Sequence, residues 1–447
     1  MNNIAIKRFL IFTITVFLLA GNDLQCQTGL GNLSTNKTDS LQLKDIISMI
    51  IKEHPSVKSA EEAINNANSR IALARTGHNP QIDMNASFTN LAPVTKLTFP
   101  EFGTFQLYPA NNYSASIDYQ QVIYDFGRTR RNIALENENK SMGEQSLEQV
   151  KQKISLYAIN NYYTLVFLQA AIKIKDEQLA TLNEHLDHVQ KMMATGSATE
   201  YQVLSTKVRI STVESQRVDL IAALTAQRAS LNSLLGNDQT TVPTVRNEIS
   251  AELPAIAQDS LLSYALQHRD EVLLNEKKTA LAEIRYNIAK SQTRPLVSVI
   301  ASGGAKNGYI PDLNKITPNY VVGLGLRIPL FDGMKNKYSI SQAQSSITSM
   351  SYESELTKRN VSDELYEAEA YMHAAEKKVK QFELQLEQAL KAYSLAETSF
   401  LAGVITNLDL LDSNTAVSES KLMLLQSRID YAASIYKLKA ALGERLY

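Results

Sequence analysis

Tryptophan is absent from the 447 residues, cysteine occurs once, and glycine and proline number only 17 and 11. So few breakers favour long regular elements over a chain punctuated by turns. A lone Cys26 excludes an intramolecular disulfide, so stability must come from packing and assembly. Charge of one sign is missing too: 45 Lys and Arg oppose 46 Asp and Glu, a formal net charge of −1. There is no basic stripe interleaved with aromatics and no phosphate-cradling glycine loop, so nucleic acid is not an expected partner. No Ser–His–Asp set and no HExxH motif occurs, which argues against an enzyme. His185 and His188 share a helix face, but two ligands fall short of a metal site, and a solvated face is expected there. No cofactor and no metal is expected.

Long hydrophobic runs are also lacking. Lys7 and Arg8 precede an apolar run from Phe9 to Ala20, and polar residues follow from Asn22. That pattern is a secretory signal peptide over 1–26, too short for a comfortable membrane span. Cys26 closes it, either as the last residue removed or as a lipidated N-terminus, and Gln25 before it favours plain cleavage. No later stretch reaches the roughly 18 apolar residues of a spanning helix. An exported chain of this kind is either soluble or a β-barrel.

What the chain does have is a long internal repeat. Asp125 in Ile123-Tyr124-Asp125-Phe126-Gly127-Arg128 corresponds to Asp332 in Leu330-Phe331-Asp332-Gly333, Gly196 to Gly403, and Gly236 to Gly443, each 207 residues on. Upstream, His54-Pro55 matches His268-Arg269 and Asn79-Pro80 matches Arg294-Pro295, at 214 and 215. The domains expected are a first repeat over 27–236, a linker over 237–257 and a second repeat over 258–447. Each repeat reads as a helix (42–77; 258–293), a strand pair (80–90 with 112–124; 295–303 with 319–330), a very long helix (128–194; 335–401) and a returning helix (198–235; 405–442).

In the first long helix Leu147, Val150, Ile154 and Tyr157 step by three and four. Leu165, Leu168 and Ile172 resume the pattern, and Leu179, Leu182, Leu186, Val189 and Met193 continue it. This is a coiled-coil seam with one stutter between Asn161 and Leu165. The strands have period two: Tyr113, Ala115, Ile117, Tyr119 and Ile123 oppose Ser114, Ser116, Asp118 and Gln120. Segments of about ten residues with one apolar face mark a membrane barrel. Four strands cannot close around a pore, so subunits must pool them, and three copies give twelve.

Strand pairs inserted between long coiled-coil helices, in two tandem copies, resemble the TolC-like outer-membrane efflux proteins over about 41–443. The likeness rests on Ile123-Tyr124-Asp125-Phe126-Gly127 and its repeat, the turns at Gly196 and Gly403, Leu-Gly at each repeat end, and Gly403-Val404-Ile405-Thr406-Asn407-Leu408-Asp409-Leu410-Leu411-Asp412. It implies a mainly α fold with a membrane β-barrel portion: a homotrimer whose long helices form an α-barrel and whose four strands per subunit form a twelve-stranded barrel. The implied role is the exit channel of a tripartite efflux or type I secretion system in a Gram-negative outer membrane. The implied partners are outer-membrane lipid, a periplasmic adaptor and an inner-membrane RND or ABC pump. Loops 91–111 and 304–318 are expected outside, and 237–257 around the middle of the tube.

The resemblance also implies site residues. Asp409 and Asp412 match an acidic ring at the periplasmic aperture, where six carboxylates favour cations and crowd one another enough to raise pKa values. Gly196, Ser197, Thr199, Gly403, Val404 and Thr406 fall on the turns expected to meet the adaptor. Ile405, Gln202 and Phe400 depart from the polar residues that hold the family's type member shut, so closure here needs other contacts. Two further readings stand beside the channel: a soluble periplasmic coiled-coil adaptor or scaffold, and an envelope enzyme.

Overall fold

A computed structural model describes residues 41–447 except 102, 242–244, 258 and 259. The signal segment and Cys26 lie outside the described residues. The chain runs α1 (Leu43–Glu53), α2 (Pro55–Arg75), β1 (Gln81–Asn90), β2 (Lys96–Phe99), β3 (Gly103–Gln106), β4 (Asn111–Tyr124), α3 (Arg128–Ala194), α4 (Glu200–Leu235), α5 (Leu261–His268), α6 (Asp270–Ser291), β5 (Leu296–Lys306), β6 (Thr317–Arg327), α7 (Lys335–Leu401) and α8 (Asn407–Leu442). No described helix is long and apolar enough to cross a membrane.

The first helix of each repeat is broken where one helix was expected. Pro55 disfavours helical backbone at His54, which turns to ψ 130°. Arg269 breaks at ψ 127° without a proline. Its guanidinium donates to the carbonyl of Ala440 and to Glu364 and Glu271. Gly443 lies so close that a Cβ there would sit 2.7 Å from the His268 carbonyl. The break is thus where the end of α8 abuts the start of α6.

α3 and α7, of 67 residues each, are about 100 Å long. α3 packs along α2 and α4 and also along α6 and α8, and α7 packs on α6 and α8. The core around α3 joins Ile46, Ile47 and Ile50 of α1 to Ile159, Tyr162, Tyr163 and Val166 and to Leu231 and Leu235 of α4. Each large apolar side chain buried there contributes about 1.5–3 kcal/mol. The seam departs from expectation at Tyr157 and Met193, which are exposed, while Tyr162 and Tyr163 at the stutter are buried. The stutter turns that pair into the core, where Tyr162 Oη donates to the Arg246 carbonyl (2.7 Å) and Tyr163 Oη to that of Ser250 (2.9 Å). Residues 246–250 are held to α3 this way.

The sheet order is β1-β4-β5-β6, antiparallel throughout. β6 stops at Arg327, short of the expected 330, because Pro329 has no N–H to give a ladder. Loop 91–111 contains an unforeseen hairpin, β2 with β3, in which Leu97 faces Phe105. One face of the main sheet carries Ile82, Met84 and Phe88, then Tyr113 and Ile117, then Tyr320, Val322 and Leu324. All of these are exposed, up to 83% for Tyr320. The opposite face is polar: Asp118 accepts from Asn85 (2.7 Å), Ser302 (2.5 Å) and Ser116 (3.1 Å). β4 and β5 approach closely at Gly304, where a Cβ would lie 2.2 Å from the Ala115 carbonyl.

The repeated aspartates join strand to helix. Asp125 accepts backbone N–H bonds from Gly127 (2.9 Å), Arg128 (3.1 Å) and Thr129 (2.6 Å), and so satisfies free N–H groups at the start of α3 from two residues before its N-cap Gly127. Asp332 accepts from the N–H of Asn336 (2.9 Å) at the start of α7. Phe126 and Gly127 take left-handed backbone at φ 54° and 81°, and Gly333 and Met334 do the same at 66° and 68°.

Candidate functional site

The turns α3–α4 and α7–α8 are built alike. Gly196 (φ 78°) and Gly403 (φ 71°) occupy the left-handed position that ends a helix. The N–H of Ser197 reaches back to the Met192 carbonyl and that of Val404 to Ser399, at 2.8 and 2.9 Å. Thr199 and Thr406 then cap the returning helices, each in a capping box whose third residue is Gln202 or Asp409. Gly196, Ser197, Thr199, Gly403, Val404 and Thr406 are all exposed. Tyr201, Leu204, Leu401 and Leu408 add uncovered apolar surface beside them.

Both candidate aspartates have partners within the protomer. Asp409 accepts from the Thr406 N–H (2.9 Å) and hydroxyl (2.6 Å). Those bonds hold its pKa below the ordinary value. Within one chain the shift is therefore opposite to the rise expected from crowding. Asp412 accepts from Arg209 Nη2 at 2.6 Å, a contact from α8 to α4.

The sequence reading missed the residue that organises this end. Asn407, at the start of α8, is only 3% exposed. Its Nδ2 faces the carbonyl of Gln202 (3.3 Å) and the hydroxyls of Ser205 (3.1 Å) and Thr206 (3.3 Å) on α4. Its Oδ1 meets His185 Nε2 of α3 at 2.6 Å. His185 is therefore part of a buried contact rather than a solvated face. The Phe400 ring lies against it, edge-on, with centroids 5.2 Å apart. Burial pushes the His185 pKa down, and His188 pushes the same way against the hydrogen bond that His185 gives to Asn407 and the charge of Glu397. Among the described residues no group of three or more His, Cys, Asp or Glu is placed to hold a metal.

Phe400 and Ile405 join Val189, Val203 and Leu410 in an apolar cluster at the turns. Gln202 serves as capping residue and carbonyl acceptor. Where polar cross-links were expected to be missing, packing and the Asn407 contacts tie the two helix pairs together. Farther along, Lys421 of α8 reaches Glu177 of α3 at 2.6 Å. A polar side chain at the first position of α8, directly after the capping Thr406, was the available signal for Asn407.

The family model described as outer membrane efflux protein matches residues 46–237 and 261–444. The chain belongs to the outer membrane efflux protein family. As a member it is a passive channel of the Gram-negative outer membrane that serves efflux, not an enzyme, and the soluble scaffold is set aside. This efflux protein is 21% identical over 343 residues to the alkaline protease secretion protein AprF of Pseudomonas aeruginosa, covering 74% of this chain and 70% of that one. It is 26% identical over 357 residues to the toluene efflux pump outer membrane protein TtgC of Pseudomonas putida, covering 75% and 70%. Its fold is similar to that of the outer membrane protein VceC from Vibrio cholerae, with a TM-score of 0.73 and 18% identity over 91% of this chain and 97% of that one.

Proposed function

We propose that three copies of this chain form one conduit, a twelve-stranded barrel in the outer membrane continued by a helical tube. The conduit is the exit channel of a tripartite efflux or type I secretion system. The observation that carries the trimer is the sheet. Its apolar face is uncovered, and β1 and β6 are unpaired edges. In hydrocarbon every backbone N–H and C=O needs a partner, which an open four-stranded sheet denies its edges. Pairing β6 of one copy with β1 of the next satisfies both edges, and three copies close on twelve strands.

The tandem repeat is supported by the two segments that the family model matches, 46–237 and 261–444, and by the paired lengths of α3 with α7 and α4 with α8. The boundaries 27–236, 237–257 and 258–447 follow from it. The exposed turn residues Gly196, Ser197, Thr199, Gly403, Val404 and Thr406 meet a periplasmic adaptor, which links them to an RND or ABC pump. Asp409 and Asp412 line the aperture, with Arg209 partly balancing Asp412. The Asn407 contacts keep the α7–α8 pair against α3–α4 while the channel rests.

Crosslinking tests the assembly. Cysteines placed on β1 and on β6 of the full chain should give covalent dimers and trimers in isolated outer membranes under oxidation. Monomer alone, from pairs placed anywhere along the two edges, would contradict the pooled barrel.

A further inference from the structure

Between the turns and the main core, α8 buries polar side chains where a coiled-coil seam wants apolar ones. From Ile429 to Leu442 its buried residues are apolar except for Ser434. Between Leu411 and Ile429 they are Asn414, Ser418, Ser420, Leu424 and Ser427. α3 and α8 run antiparallel, with His185 against Asn407 and Glu177 against Lys421. Leu182 of α3 and Leu411 of α8 share one apolar cluster. Two heptads farther from the turns, Leu168 and Leu425 belong to the main core. The layer between these two falls one heptad from each, on Lys175 of α3 and Ser418 of α8. A charge and a hydroxyl thus stand where two leucines would continue the seam.

Both residues are buried, Lys175 at 7% exposure and Ser418 at 3%. The Lys175 ammonium donates to Gln178 Oε1 at 3.1 Å, and Gln178 is buried beside it. Among the described residues no carboxylate lies within ion-pair distance of Lys175. Glu419, exposed and next to Ser418, acts on the ammonium only from farther away. Ser418 Oγ and Asn414 Oδ1 are buried without a hydrogen-bond partner. Burying an ammonium short of acceptors, together with two orphaned oxygens, costs stability. Apolar residues of similar size in place of buried charge are often neutral or stabilising. Stability therefore gives no reason for this layer, and a rule broken at that cost points to function.

We propose that the Lys175–Ser418 layer is a built-in weak point of the α3–α8 seam, where water enters and α8 bends away from α3 as the conduit opens. The proposal rests on the conduit reading above, in which the α7–α8 pair lies against α3–α4 while the channel rests. In the closed seam the ammonium has exchanged its water for one amide oxygen. In the parted seam it regains water and comes within reach of Glu419, while Ser418 and Asn414 find water as partners. The layer thus narrows the free-energy gap between the two states, which an apolar layer would widen. The core above Ile429 keeps the upper part of α8 in place, so the bend falls between it and the turn.

The test uses the full chain in planar bilayers, with Lys175→Met and Ser418→Ala combined so that the layer turns apolar at nearly constant shape. This variant should open at least about tenfold less often than wild type and melt at a higher temperature. Lys175→Arg keeps the charge and should open as wild type does. Carbodiimide coupling of Lys421 to Glu177, read by mass spectrometry, reports the register of the closed seam and should survive in the apolar variant. An apolar variant that opens as often as wild type overturns the weak point. So does one that loses the coupling, because the layer then serves only to set register. If the apolar variant does not assemble, Glu419→Gln decides, since its exposed side chain leaves the closed seam intact: fewer openings support the proposal and unchanged opening overturns it. Wild type that never conducts overturns the conduit reading itself.

Discussion

Replacing Asn407 with alanine removes the contact that ties three helices at the turn end. Its amide and carbonyl make up to three hydrogen bonds at once: one from His185, and two of the three available from its own Nδ2 to Gln202, Ser205 and Thr206. At about 1 kcal/mol net for each, the variant loses about 3 kcal/mol of attachment between α8 and the α3–α4 pair. The His185 ring, packed against Phe400, is left with an unpaired nitrogen. If the resting channel is closed by this attachment, 3 kcal/mol raises the ratio of open to closed about a hundredfold, at 1.4 kcal/mol per tenfold. Single-channel recording in planar bilayers reads that ratio directly. Asn407→Asp keeps the acceptor for His185 and loses the donors, so it should fall between. An Asn407→Ala channel that assembles normally and opens no more often than wild type would refute the reasoning.

Other outcomes follow from the same contacts. Burial lowers the His185 pKa below its unfolded value of about 6.5, so its contribution to stability is present above that pH and is lost as pH falls from there through the lower folded-state pKa. Hydrogen-exchange protection factors at the turns, with the intrinsic pH dependence of exchange divided out, should therefore fall between pH 7.5 and 5.5, and His185→Asn should flatten that dependence. Asp409→Ala with Asp412→Ala should reduce cation preference in bilayer recordings. Asp409→Asn keeps an acceptor for the Thr406 N–H, so any loss it shows belongs to charge rather than to capping. Gly304→Val sets a side chain where a Cβ already lies 2.2 Å from the Ala115 carbonyl. It should destabilise the β4–β5 pairing by about 1–3 kcal/mol, seen as a lower thermal transition.

Period and punctuation made most of the fold legible. The three-and-four stepping of α3, the 207-residue repeat and the two turn glycines put both 67-residue helices in place. Strict alternation in β4 separated its faces correctly. The failures have physical causes. The break at Arg269 comes from tertiary contacts to Glu364 and Ala440, which no local pattern announces. Tyr157 looked like a seam residue, yet the stutter that follows it turns Tyr162 and Tyr163 into the core instead, where segment 237–257 supplies their acceptors. The hairpin of β2 and β3 alternates over only four residues a side, too few to stand out from a polar loop.

The turn segments were legible as reversals, because glycine followed by a capping threonine is a local signal. The partners of Asp409 and Asp412 were not equally visible. Asp409 binds three residues away, at a spacing that the sequence shows as a capping box. Arg209, which pairs with Asp412, is 203 residues distant. Asn407 and His185 are 222 apart and meet only when the two helix pairs pack.

Imaging of the protein extracted from outer membranes in mild detergent tests the central claim most directly. The conduit predicts a three-fold particle about 140 Å long, with about 100 Å of helix below a barrel of about 40 Å. A small monomeric particle, or protein recovered only from the soluble fraction, would contradict it.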